Sequence, residues 1–311
     1  MVEPVAFVAL AVDATIGWPN WLYRRAGHPV GTFARMIGWC ETRWNKPRTS
    51  QALRKLLGVA TLAILVAVSA GTAALLESAL RYFAGPWGWL PVALAAWPAL
   101  AQRSLLEHYR PIEVALGSGD LPAARRAVGM IVGRDTARLD EPAIARAAIE
   151  SLAESFCDGV IAPLFWLVVL GLPGVWAYKA INTADSLVGH PEEPLRAFGW
   201  ASARLDDLAN LVPARLSAAL ICMAGGGGWR VLWRDHAKHA SPNAGWPEAA
   251  MAGVLNARLA GPIRYDGMLV AKPWIGDGGE ANLATMQQAR RVFVRACGLA
   301  WIATGGVEWL L

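Results

Sequence analysis

Charged residues divide this chain into long apolar runs and shorter polar segments. Leu57–Leu76 lies between Lys55 and Glu77, Tyr82–Gln102 between Arg81 and Arg103, and Gly159–Tyr178 between Asp158 and Lys179. A bilayer crossing takes about 20 apolar residues, so each run predicts a membrane helix. Weaker candidates are Leu208–Trp229, interrupted by Arg215, and Val292–Leu311, interrupted by Arg295 and Glu308. Pro4–Trp18 is apolar but contains Asp13 and lacks a basic n-region and a small-residue cleavage site. It predicts a retained helix rather than a signal peptide. The expected fold is all-α: a polytopic integral membrane protein, one domain over residues 1–311, with helical loop regions on the cytoplasmic side.

The stretch Asp140–His190 combines both kinds of segment. Asp140 is a plausible N-cap, with Pro142 in the first turn. If the following residues are helical, Ile144, Ala148, Leu152 and Phe156 form one row at i+4 spacing. Arg146, Glu150, Glu154 and Asp158 form a second row on roughly the opposite face. The three carboxylates climb about 12 Å, at ~1.5 Å per residue. A solvated face with Arg146 as counter-ion is one reading of that ladder. Acids that lead straight into an apolar run are costly unless something uses them, which is the other. Gly171-Leu172-Pro173-Gly174 interrupts the run. It predicts that the chain turns there and comes back, as irregular backbone at membrane depth is tolerated when other helices bury it. Asn182-Thr183-Ala184-Asp185-Ser186 then returns toward the acid ladder.

Composition agrees with a membrane assignment. Of 311 residues, 55% are hydrophobic and 17% charged, and 16 are Trp; a soluble domain carries about 25% charged residues, and Trp favours membrane interfaces. The mean hydropathy is +0.33. Residues 24–56 hold eight Lys/Arg against one acid, which places that segment in the cytoplasm. It is too broken by Pro, Gly and Trp for a nucleic-acid arm. Cys40, Cys157, Cys222 and Cys297 are far apart, without CxxC or a His at ligand spacing, and read as small buried hydrophobes. No Walker or GxGxxG signature, internal repeat or low-complexity segment occurs.

Between the apolar runs, a Gly-Ser-Gly-Asp turn at 117–120 precedes a helix opened by Pro122, and Arg125, Arg126 and Arg134 are candidates for phosphate. Asp206 and Asn210 share a helix face, and Pro213 kinks or stops that helix. Residues 230–291 form a second polar region, basic, in which His236, Lys238 and His239 suggest an anion-binding loop. Clustered acids, an Asn/Asp/Ser stretch and basic loops together point to Mg²⁺–phosphate chemistry, since Mg²⁺ binds through one or two carboxylates plus phosphates.

Six stretches carry a family resemblance: HPVGTFARMIGWCE at 28–41, VGRDTARLD at 132–140, ESLAESFCDGVIAPLFW at 150–166, YKAINTADSLVGH at 178–190, FGWASARLDDLANLVPARL at 198–216 and SPNAGWPEAAMAGVL at 241–255. The chain resembles the adenosylcobinamide-phosphate synthase family of cobalamin biosynthesis, CobD/CbiB, over nearly its whole length and in order. It departs from the family pattern where Gly17-Trp18-Pro19 replaces Gly-Asp-Pro, where Ser155 replaces Asn, where NTADSL replaces NTLDSM, and where His190 replaces Tyr. The first departure removes an acid from the expected set.

The resemblance implies an ATP-dependent amide ligase in the cytoplasmic (inner) membrane. It would join the corrinoid adenosylcobyric acid to (R)-1-amino-2-propanol phosphate, or a related amino-alcohol phosphate, with ATP and Mg²⁺. Other membrane-bound enzymes of the pathway and the lipid bilayer are the expected partners, and nucleic acid is not. The expected catalytic residues are Glu150, Glu154, Asp158, Asn182 and Asp185, with Glu154, Asp158 and Asp185 on the metal. Lys179, Arg204 and Lys238 are candidates for phosphate, Ser186 for orientation and Asn243 for a substrate amide. His28, Asp206, Asp207, Asn210, Arg215 and Ser241 complete the substrate-binding candidates. A non-enzymatic regulatory relative (AmpE-like) and a small-solute transporter with a helix broken at GLPG are the alternatives. The many matching polar residues in the loops favour the ligase.

Overall fold

The computed structural model describes residues 3–265 and 268–310, with the backbone alone at 263–265 and 268–270. The protein is mostly helical, as the apolar periodicity predicts. The all-α expectation needs one correction. Leu259–Ala260 pairs antiparallel with Trp274–Ile275, and Ile263–Tyr265 with Met268–Val270. These strands are two or three residues long in a Gly- and Pro-rich segment, too short for an alternating pattern to register.

Contacts group the chain into two compact units. One comprises Met1–Ala101, Ala162–Asn210 and Thr304–Leu311, the other Gln102–Ile161 and Leu211–Ala303. Each is assembled from segments distant in sequence, which no local pattern encodes.

The first unit is organised on the helix Gln51–Ala84, about 51 Å long at ~1.5 Å per residue. Ser50 caps it by accepting the Leu53 N–H at 3.3 Å. One face, Leu62 and Leu65, packs with Ile37, Ile181, Ala184 and Phe198. The other leaves Leu56, Ile64, Val68 and Leu75 exposed, an apolar surface suited to hydrocarbon. Gly171, at φ 64°, breaks the helix Ala162–Val188. The two pieces fold back on each other. A Cβ on Gly174 would lie 2.5 Å from the Trp166 carbonyl oxygen, and Ala162 and Tyr178 share one buried cluster. The returning piece runs antiparallel to the long helix. Leu172 N–H donates to Glu77 at 3.1 Å, Ser69 Oγ donates to the Trp176 carbonyl at 2.7 Å, and the Phe198 backbone lies against Gly58.

Two helical stretches, Gln51–Trp87 and Glu141–Val188, are long and apolar enough to cross a membrane, or up to four if each bent pair counts as one span. The segment 82–102 differs from its expectation. Its central helix, Trp89–Ala96, has eight residues and is flanked by 3₁₀ turns at Gly85–Trp87 and Trp97–Ala99. Pro86, Pro91 and Pro98 account for the interruptions. The segment 292–311 lies in the helix Leu283–Leu310, outside that set and carrying Arg290, Arg291 and Arg295; Leu311 is outside the described residues.

In the second unit, Asp120 caps Leu121–Val128 and Asp140 caps Glu141–Phe156, each accepting an N–H three residues on at 2.9 and 3.0 Å. Tyr109, Ile112, Ile149, Phe156, Met251 and Phe293 are buried in its core. Tyr109 donates its hydroxyl to the Met286 carbonyl at 3.1 Å, and Phe156 meets Phe293 edge-on.

Candidate functional site

Two acids of the ladder, Glu150 and Glu154, face a cleft. The row Ile144, Ala148, Leu152 and Phe156 is buried, but so are Ala145, Ala147 and Ile149. The helix is therefore covered on most sides, and the two acids open onto a cleft of about 180 Å³. Arg134, Glu150, Ser151, Glu154, His239, Glu248 and Lys272 line it. Glu150 is held at three points: Arg134 Nη2 at 2.9 Å, the donated N–H of Ala260 at 2.7 Å, and Arg146 Nε at 3.8 Å. Arg146 is thus a secondary counter-ion, behind Arg134. Asp158 lies in a π-helical turn, Cys157–Ile161. That turn adds a residue to the repeat and rotates Asp158 out of strict register with Glu154.

Glu248 and His239 close the cleft's far side. Glu248 is buried at 4% exposure. Its carboxyl is held well above the usual carboxylate range, first by burial and then by the charges of Glu150 and Glu154. His239 Nδ1 accepts the Ser241 N–H at 3.0 Å, so in the neutral ring the proton sits on Nε2. That nitrogen lies 3.7 Å from Glu248 Oε1. Burial, and then Lys272, lowers the His239 pKa.

Other predicted residues of this unit make local contacts. Lys238 is 2.7 Å from Asp235 Oδ1 and donates to the Trp274 carbonyl at 3.2 Å. Asp235 is fully buried and also accepts from Arg234 and from the Gly276 N–H. These donors, Arg234 foremost, hold its carboxyl far below the usual range. Ser241 Oγ accepts the N–H groups of Asn243 and Ala244, both at 3.2 Å, and Asn243 Oδ1 accepts from Arg215 at 3.1 Å. Arg215 also stacks on Trp246. The structure thus brings Arg215, Ser241 and Asn243 together around the start of the helix Gly245–Leu255.

The first unit gathers a separate polar set. Asp206 accepts from Asn182 Nδ2 at 3.3 Å and from Asn210 Nδ2 at 2.9 Å, and Tyr178 donates its hydroxyl to Asn210 at 3.0 Å. Arg204 pairs with Asp207 at 3.3 Å on an exposed face. Ser186 bonds back to the Asn182 carbonyl at 2.9 Å. His28 caps the helix Pro29–Trp44 through Nδ1 and packs edge-on against Trp18. Burial, followed by the charge of Lys179, lowers its pKa.

Of the expected metal ligands, Glu154 and Asp158 belong to one unit and Asp185 to the other. Among the described residues, no group of three or more His, Cys, Asp or Glu side chains is arranged to hold a metal ion. Glu154 lines the same cleft as Glu150 and Glu248.

A family model described as CobD/Cbib protein matches residues 6–293. The chain belongs to this family. It is 48% identical over 304 residues to a protein named cobalamin biosynthesis protein CobD from Sinorhizobium sp, covering 93% of each chain. It is 47% identical over 298 residues to one so named from Rhodobacter capsulatus, covering 93% of this chain and 92% of the relative. A third, from Geobacter metallireducens, is 44% identical over 282 residues, covering 88% and 86%. No solved structure matches the chain. The protein is accordingly one of cobalamin biosynthesis.

Sequence reasoning placed His239 only in an anion-binding loop and left Glu248 and Lys272 without a role, although all three line the cleft. A signal existed for Glu248: it is the single acid in SPNAGWPEAAMAGVL, one of the stretches that carry the CobD/CbiB likeness.

Proposed function

We propose that the protein is a multi-pass cytoplasmic-membrane adenosylcobinamide-phosphate synthase. It forms an amide between adenosylcobyric acid and an amino-alcohol phosphate, with ATP consumed to activate the corrin carboxylate. One observation carries the reading beyond family membership: a single cleft holds two cations, three carboxyl groups and a neutral imidazole. The activation transfers the terminal phosphoryl group to the carboxylate and releases ADP. The amine then attacks the acyl carbon and phosphate leaves. Such chemistry needs no protein nucleophile; it needs charge neutralisation, a proton acceptor and positioning.

Each need has candidates in this chain. Arg134 and Lys272 neutralise phosphate oxygens, and Glu150 fixes Arg134. Glu154, with Asp158 following it, would hold Mg²⁺, which supplies positive charge to the phosphates when bound. His239, a neutral imidazole, can take up the proton that the substrate ammonium must lose. Asp185, Asn182 and the Asp206–Asn210 pair are assigned to orienting the second substrate, with Lys179, Arg204 and Asp207 beside them in sequence. A purely regulatory role would give such a cleft nothing to do.

The test is direct. Purified protein in nanodiscs is supplied with adenosylcobyric acid, (R)-1-amino-2-propanol phosphate and Mg·ATP, and the product is followed by mass. Adenosylcobinamide phosphate is the expected product. A flat product trace, together with normal cobalamin synthesis in a deletion strain, would overturn the assignment in favour of a regulatory relative.

A further inference from the structure

Arg134 lines the cleft, Arg146 stands next to its Glu150 and Arg258 next to Arg146, and each of the three leaves one buried donor unused. Arg134 donates Nη2 to Glu150, and Arg258 donates Nη2 to Glu280 at 2.6 Å. Arg146 stands 3.8 Å from Glu150, too far for a hydrogen bond. The Nε atoms of Arg134, Arg146 and Arg258 are all buried, with no hydrogen-bond partner among the described residues. Arg146 and Arg258 both lie over the Trp274 ring at 4.9 Å, and Arg134 and Arg258 both repel Arg146. Lys272 lines the cleft without a hydrogen bond or ion pair to any described residue.

This arrangement is unfavourable as it stands. A buried unpaired N–H loses its hydration without replacement, and clustered like charges add repulsion. An anion with several oxygens would remedy both. Guanidinium edges match phosphate oxygens in shape and charge, and Lys adds a point charge. We infer that Arg134 and Lys272 of the cleft, with Arg146 and Arg258 stacked on Trp274 beside it, form a binding site for a phosphate group. None of the cations Lys179, Arg204 or Lys238 belongs to it. Which phosphate it takes, that of the nucleotide or that of the amino alcohol, rests on the synthase reading; that it takes one does not.

Isothermal titration calorimetry on the full chain in detergent tests the site with two probes, inorganic tripolyphosphate and O-phosphoethanolamine. Lys272→Gln and Arg258→Gln are the variants, because neither removes the buried support of Glu150. Arg110→Gln, an exposed arginine elsewhere in the same unit, is the control. We expect each cleft variant to weaken one probe or both by about tenfold or more, the loss of one charge-assisted contact, with the control unchanged. Weakening of tripolyphosphate alone assigns the site to the nucleotide, and of phosphoethanolamine alone to the amine substrate. Cleft variants that bind both probes like the wild type, or a control that weakens them equally, overturn the site. Product formation is scored separately. A missing product with cleft-dependent probe binding defeats the synthase reading alone, and product with cleft-independent binding defeats the site alone.

Discussion

Gly189 lies directly against the carboxylate of Asp185. A methyl group on Gly189 would sit 1.9 Å from Asp185 Oδ1 and 2.7 Å from the Asp185 carbonyl oxygen. The glycine therefore sets where that carboxylate points. Gly189→Ala should swing the Asp185 side chain away at a cost of about 1–3 kcal/mol in stability. If Asp185 orients substrate, turnover should fall at least tenfold (about 1.4 kcal/mol) while the protein still elutes as a folded species. Wild-type turnover in Gly189→Ala would remove Asp185 from the machinery.

The hairpin at Gly171 makes a topological prediction. Leu172 meets Glu77 near one end of the long helix, and Phe198 meets Gly58 near the other. Ser186 thus returns toward the end that carries the basic segment 24–56. Ser186→Cys and Arg48→Cys should react with an impermeant thiol reagent only in inverted vesicles, and Tyr82→Cys only in intact cells. The background is Cys40→Ser, because the other three cysteines are buried. Labelling of Ser186→Cys in intact cells would sink the hairpin topology.

Much of this was legible from residue order alone. Asp140 before Pro142 marked a helix start, GLPG marked the break, and the apolar run 57–76 sits inside the helix Gln51–Ala84. The six motif stretches carried the family. What stayed hidden was tertiary. The ladder looks like three equivalent acids, yet Glu150 is neutralised by Arg134 from another segment and bonded by the backbone of Ala260, 110 residues on. The cations that answer the acids come from 134 and 272, and nothing in their local sequence announces it. Lys238, a phosphate candidate from sequence, is paired with Asp235 three residues before it. At 82–102 the apolar count pointed to one continuous helix, where Pro86, Pro91 and Pro98 break it into a short helix and turns.

Glu248 and His239 should give opposite pH signatures. The Glu248 carboxyl is raised from an ordinary value of 4.5, chiefly by burial and then by Glu150 and Glu154, with Lys272 and Arg134 opposing. Folding then favours the protonated form. Its contribution is complete below about pH 4.5 and is lost as pH rises through the raised value. The His239 imidazole is lowered from 6.5, mainly by burial. Its contribution is complete above that value and is lost as pH falls through the lowered one. Glu248→Gln removes only the first effect. Above about pH 4.5 the variant should gain on the wild type, by up to about 1.4 kcal/mol per pH unit until the folded Glu248 carboxyl ionises. The acid-side loss due to His239 should persist. Parallel unfolding curves for the two proteins across that range would mean that Glu248 is an ordinary ionised carboxylate.

The nucleotide product distinguishes two ways of activating the corrin carboxylate. Attack on the terminal phosphorus gives an acyl phosphate and ADP; attack on the innermost gives an acyl adenylate and pyrophosphate. Under the proposed acyl-phosphate route, attack falls on the terminal phosphorus. ADP and inorganic phosphate should therefore accumulate in equal amounts with the amide, and AMP should stay at background. The Lys272→Gln variant should lower the rate of ADP release at least tenfold, one charge-assisted contact to phosphate being worth about 1.5–3 kcal/mol. It should leave the ratio of ADP to amide unchanged, because it weakens a step without opening another route. AMP with pyrophosphate as the main products would refute acyl-phosphate activation, and the terminal phosphoryl would no longer be the group held beside Arg134.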